Sequence, residues 1–384
     1  MRWIVLTLAA LVLAGPSPAA EPQSSAPPRC ADHDPHKRVY FGDLHVHTGL
    51  SMDAYMFDTR LGPDDAYRFA RGEEVRIPPL DAAGQGTVPF RLPRPLDFAA
   101  VTDHAHSFGG VRLCTEPGSV SYDTPECERY RSPYAPTDLE SGTAEIVGRV
   151  DSLNSPPICG ADGTLCREAA GEVWRETQAA AERWNDAAPS CAFTSFVGYE
   201  YTKTPEFTKI HRNILFRNQI VPELPIDSLS EPDEIAMWRK LQAQCTEAGT
   251  GCDVISIPHN PNLSNGQIFS LDYGDAVTPA EQAEVARLRA RMDTVVEMSQ
   301  KKGDSECRNG MWNVLGEDEL CGFEKMRRFP DPPDCREGKG KGALAFRGCQ
   351  SRLDFARYAL VEGLREADRI GVNPYAFGMI AATD

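Results

Sequence analysis

The stretch Val39-Tyr40-Phe41-Gly42-Asp43-Leu44-His45-Val46-His47-Thr48 decides how the rest of the chain is read. A short run of strand-forming residues, Val39 to Leu44, runs into two histidines, His45 and His47, two residues apart. Residues two apart on a strand point to the same side, so both imidazoles can grip one ion. The arrangement recurs. Asp103-His104 closes the run Phe98 to Thr102, Glu200 closes Phe193 to Tyr199, His259 closes Val254 to Ile257, and Asp384 closes Phe377 to Ala382. His211 stands beside a further short run, Asn213 to Phe216, and another strand is expected over Thr294 to Met298. Helical patterns at Pro63 to Arg71, Cys166 to Asn185, Pro232 to Ala248, Pro279 to Met292 and Arg352 to Ile370 alternate with these runs, as in βα units. In a parallel barrel every C-terminal strand end lies on one face, where sites are built. One His-x-His is more often structural than not, but ligand-type residues ending strand after strand point to a site for several metal ions.

The chain has 384 residues, with 56 acidic against 40 basic side chains and a formal charge of −16. That balance speaks against a nucleic-acid binder and against an anionic membrane surface as partner. The length suits one large core carrying insertions. Arg2, the apolar run Ile4 to Ala14 and the small residues Ser17 to Ala20 read as a signal peptide over residues 1–20, too short to span a membrane comfortably. The mature protein is therefore expected to be periplasmic or secreted. Twelve cysteines without a Cys-x-x-Cys agree, since an oxidising compartment favours a disulfide set. Their pairing stays open, with Cys159 to Cys166 and Cys245 to Cys252 as plausible local loops. Residues 21–37 read as a flexible tether and 38–384 as one domain. Two Cys-rich, loop-like insertions, about 107–165 and 303–348, are expected to rim the site.

His45-Val46-His47-Thr48 with Ser51 and Asp53, and Val101-Thr102-Asp103-His104, resemble the first two motifs of the polymerase-and-histidinol-phosphatase (PHP) superfamily. Tyr40 to Thr48, Pro63 to Glu74 and Arg94 to His104 are more closely similar to the family called domain of unknown function 3604, a resemblance running from about Val39 to the C-terminus. It implies an α/β fold, a distorted (β/α)7 TIM-like barrel of the PHP type. Two or three divalent ions (Mn, Zn or Fe) would there hydrolyse a phosphoester-type bond through a metal-bridged hydroxide. Carried over position by position, the implied ligands are His45, His47, Asp53, His104, Glu200, His211, His259 and Asp384. Glu200 would bridge two ions, with His104 near it; His211 and His259 would serve the more exposed ions, and Asp384 would join the His-x-His pair. Asp53 stands where the superfamily often has histidine, which would harden that position toward manganese or magnesium.

Glu200 and Asp103 are the expected catalytic pair, Asp103 by orienting a histidine ligand. Lys203, Lys209, Arg212 and Asn260, all near ligands, are candidates for holding a small-molecule ester substrate, and His106 reads as a polar loop residue. Two other readings stand beside this one: an amidohydrolase-like enzyme cutting amides or carboxyl esters, and a metal-holding binding protein without turnover. The superfamily pattern expects Asp-x-His at the last strand, with the histidine two residues past Asp384, so the chain reads as truncated at its C-terminus.

Overall fold

A computed structural model describes residues 30, 31, 34, 36–135, 139–327 and 331–384; the expected signal peptide lies outside them. The described strands are β1 (Gly42–Val46), β2 (Val75–Leu80), β3 (Gly86–Phe90), β4 (Phe98–Val101), β5 (Thr194–Lys203), β6 (Ile210–Phe216), β7 (Val254–His259), β8 (Val295–Gln300), β9 (Gly303–Asp304) and β10 (Gly378–Ala381). Seven of them make one curled, half-barrel sheet in the order β1-β4-β5-β6-β7-β8-β10, with β9 on the flank of β8, while β2 and β3 form a separate hairpin. At the seam between β1 and β10 the backbone N–H of Asp384 donates to the carbonyl of His45 at 3.1 Å.

Not every strand is parallel. β6 runs antiparallel to both β5 and β7, whereas the other neighbours in the path are parallel. The sequence signal of alternating βα units fails here because only residues 204–209 separate β5 from β6. That is long enough for a hairpin and too short for a crossover helix. The reversal brings the first residues of β6 to the end of the sheet where its neighbours finish.

Strand alternation sorts the side chains into two layers. Leu44, Ala100, Leu215, Ile257, Val295 and Ile380 meet inside the curl as an apolar plug. Residues of the opposite parity, among them Ala99, Val101, Tyr199, Ile214 and Val254, pack outward against Tyr67, Trp174 and Met237 of the covering helices. Each such valine, leucine or isoleucine side chain, fully buried, contributes roughly 1.5–3 kcal/mol. The helix Pro279–Met292 has the expected bounds, with Thr278 and Glu281 in a reciprocal capping box. The pattern at Pro232 to Ala248 becomes a helix over Glu234–Leu241 and a wider π turn over Gln242–Thr246.

The insertion at 107–165 is mostly helical, not loop-like: Phe108–Thr115, Pro125–Arg131, Leu139–Ser152 and Pro156–Cys159. Gly109 and Gly110 make the first of these possible, since a Cβ on either would lie 2.1 Å from the carbonyl of Cys166 or Leu153. Composition suggested a loop where close helix packing needs glycine. The 303–348 insertion is irregular as expected, apart from β9 and a single turn at Ala343–Ala345.

All twelve cysteines are paired: Cys30–Cys191, Cys114–Cys127, Cys159–Cys166, Cys245–Cys252, Cys307–Cys321 and Cys335–Cys349. The two local loops expected from spacing are among them. The first bridge corrects the flexible tether at its C-terminal part, where Cys30 is bonded and Ala31 N–H donates to Pro189 at 2.7 Å. Six disulfides fit an extracellular protein. No described helix is long and apolar enough to cross a membrane.

Candidate metal centre

Strand register assembles the site. His211 pairs with His259, His259 pairs with Glu297 on the next strand, and His104 bridges to Glu200. His45 and His47 arrive from β1, and Asp384 follows β10 across the seam. The side chains converge above the apolar plug. His45 Nε2 lies 3.1 Å from His47 Nε2 and 3.2 Å from Glu200 Oε2. Asp384 Oδ1 lies 3.2 Å from His47 Nε2 and 3.5 Å from His45 Nε2. Glu200 Oε1 faces His211 Nδ1 at 2.6 Å, His104 Nδ1 at 3.2 Å and His259 Nε2 at 3.5 Å. Asp53, at the rim, stands 3.4 Å from His104 Nε2.

Four overlapping groups have the spacing to hold a cation: His45-His47-Asp384, His47-His104-Glu200, Glu200-His211-His259 and His45-His259-Glu297. Shared residues make them parts of one cluster. Its polar atoms are not satisfied by protein alone. Glu297 Oε1 is buried with no hydrogen-bond partner, and the single oxygen Glu200 Oε1 is faced by three imidazole nitrogens, more than its two lone pairs can serve. An orphaned buried polar atom costs about 1–3 kcal/mol, which a shared cation would remove. Imidazole and carboxylate donors in this mixture suit borderline divalent ions. The residues fit metal.

The charges agree. Burial opposes a charged imidazole at His47, but the carboxylates of Asp53, Asp384 and Glu200 outweigh it and raise the group to about 10. Burial instead prevails at His211, lowered to about 3, which leaves a neutral ring. Against its own burial, Glu200 is held well below the carboxylate range by His104, His259 and His211. A site that draws protons onto an imidazole is one for which a cation competes.

The family model described as "Protein of unknown function (DUF3604)" matches residues 34–384. The chain belongs to this family. No curated protein and no solved structure matches it.

Within this DUF3604 chain, the eight residues expected as ligands all lie in or beside the cluster, but several finer expectations change. His211 and His259 are themselves buried, as are His45 and His104. Asp103 does not bond a histidine directly: its carboxylate accepts from the backbone and hydroxyl of Thr48, at 2.5 and 2.7 Å, and so ties down the turn after His47. Lys203 and Arg212 are not at the site. They project outward from their strands, Lys203 to Glu234 at 3.0 Å and Arg212 to Asp293 at 3.5 Å beneath Trp238. Lys209 and Asn260 are at the site, with Lys209 Nζ donating to Asn260 Oδ1 at 2.7 Å. His106 lies beside His104, ring centroids 6.0 Å apart, with a buried Nδ1 that has no partner. Sequence reasoning missed Glu297, Gln300 and Lys302. The one readable signal was Glu297, an acid inside the apolar run Val295 to Met298.

Proposed function

We propose that this chain is an exported, metal-dependent hydrolase of phosphoesters, built on a PHP-type barrel and using two or three divalent ions. The observation that carries the reading is the convergence of buried imidazoles and carboxylates from strand after strand into four overlapping groups with the spacing to hold a cation. Divalent ions supply Lewis acidity, polarising an ester and making water nucleophilic near neutral pH. The protein's own part is to hold and orient. Glu297 fixes His45 through Nδ1 at 2.8 Å, Glu200 stands between two groups of histidines, and the Asp103–Thr48 bonds set the turn after His47, whose Nε2 faces Glu200. Lys209 and Asn260, beside Asp384, are placed to meet substrate oxygens.

The test is a panel of phosphate, sulfate, carboxyl-ester and amide substrates, run with and without chelator. Chelator-sensitive cleavage of phosphoesters, restored by added manganese or zinc, is expected. Phosphatase activity that survives exhaustive chelation would overturn the reading, and turnover confined to amides or carboxyl esters would move it to the amidohydrolase type.

A further inference from the structure

We propose that Lys209, Lys302, Asn260 and Gln300 form an anion subsite that selects phosphomonoester dianions over phosphodiesters and carboxylates. The inference rests on the hydrolase reading and names its substrate class.

Lys209, just before β6, is only 3% exposed. Its Nζ donates to Asn260 Oδ1 at 2.7 Å, and Gln300 Nε2 donates to the same oxygen at 2.6 Å. Asn260 thus spends its carbonyl twice, while its Nδ2 is buried with no acceptor. Gln300 Nε2 and Lys302 Nζ both bond Asp384 Oδ2, and Lys209 Nζ approaches that oxygen to 3.6 Å. One carboxylate oxygen offers two lone pairs. Donors therefore exceed acceptors here, at the edge of the metal cluster. Lys302, 27% exposed in its side chain, opens the subsite to solvent.

Charge sets the class of guest. The cluster contains the carboxylates of Asp53, Glu200, Glu297 and Asp384, which two divalent ions would balance. The ammonium groups of Lys209 and Lys302 then stand as an excess of two positive charges in a largely buried site, and a buried charge needs a partner. A phosphomonoester carries close to two negative charges above its second pKa near 6, a diester or a carboxylate one, and a carboxyl ester none.

Calorimetry on the manganese-loaded protein at pH 7 tests this, with inorganic phosphate, dimethyl phosphate and acetate as probes and metal content measured alongside. Phosphate is expected to bind tighter than dimethyl phosphate or acetate by about tenfold or more, as charge complementarity requires. Lys302→Met should weaken phosphate by about tenfold at unchanged metal content, and Lys302→Arg should largely restore it. Equal affinity for phosphate and dimethyl phosphate would overturn the subsite. So would a Lys302→Met protein that loses an ion, because the lysine would then be positioning Asp384 rather than meeting substrate. If phosphoesters are hydrolysed but Lys302→Met leaves phosphate affinity unchanged, the subsite falls and the hydrolase reading stands. If phosphate binding depends on Lys302 but no phosphoester is cleaved, the hydrolase reading falls alone.

Discussion

The two ring nitrogens of His45 have different tasks. Nδ1 lies 2.8 Å from Glu297 Oε2, both groups fully buried, and Nε2 faces His47, Glu200 and Asp384. A carboxylate on one nitrogen fixes the tautomer that leaves the other free as a ligand. Glu297→Gln keeps the shape and removes the charge. It should lower metal affinity by about 10- to 100-fold without unfolding the chain. Metal titration followed by calorimetry checks this, and an unchanged affinity would show that Glu297 does not act through His45. The same residue scale shows why two expected substrate contacts moved away. Arg212 follows His211, and Lys203 follows Thr202, which bonds His104. Sequence neighbours on a strand face opposite sides, so proximity to a ligand in sequence placed both on the outer layer.

Among the elements, the 303–348 insertion serves as a clamp on the segment that follows β7. Ala343 N–H donates to Asn265 Oδ1 at 2.9 Å, and Gln267 Nε2 donates to the carbonyl of Gly340 at 3.0 Å. Asp354, just beyond the insertion, accepts from Ser264 Oγ at 2.7 Å, Gly266 N–H at 2.5 Å and Ser351 N–H at 3.0 Å. Burial nevertheless outweighs these bonds and pushes its carboxyl up to about 6. A carboxyl raised in the folded state binds its proton more tightly than in the unfolded chain. Its contribution to stability is then fully present below about pH 4 and lost as pH rises through 6, a difference on the order of 3 kcal/mol. The stability of the wild type relative to Asp354→Asn should therefore fall between pH 4 and 7. Denaturant unfolding at both pH values measures it; a relative stability that rises with pH would contradict the assignment. No composition signal pointed to Asp354, because its role depends on long-range packing. The helices of the other insertion had a partial signal, prolines at the first helical position after Thr124 and Ser155. Glycines and cysteines masked it.

At the scale of the molecule, short apolar runs rich in strand-forming residues located most strands of the curled sheet, and their polar ends located the cluster. What patterning could not show was direction. The antiparallel β6 follows from a short connection, and only through that reversal does His211 reach His259 across neighbouring strands. Nor could it show that β8 carries Glu297 and Gln300 into the same site, since Glu297 lies inside the strand and Gln300 ends it two residues past the expected Met298. The central claim is that the cluster is a multinuclear metal site. Elemental analysis of the purified protein, beside His47→Ala and Glu200→Gln, tests it most directly. Two or three divalent ions per chain are expected, because the cluster gathers nine ligand-type residues where one tetrahedral zinc needs only about four. Each substitution should remove at least one ion while the six disulfides hold the fold. A single tightly bound ion unaffected by either substitution, or none at all, would contradict the claim.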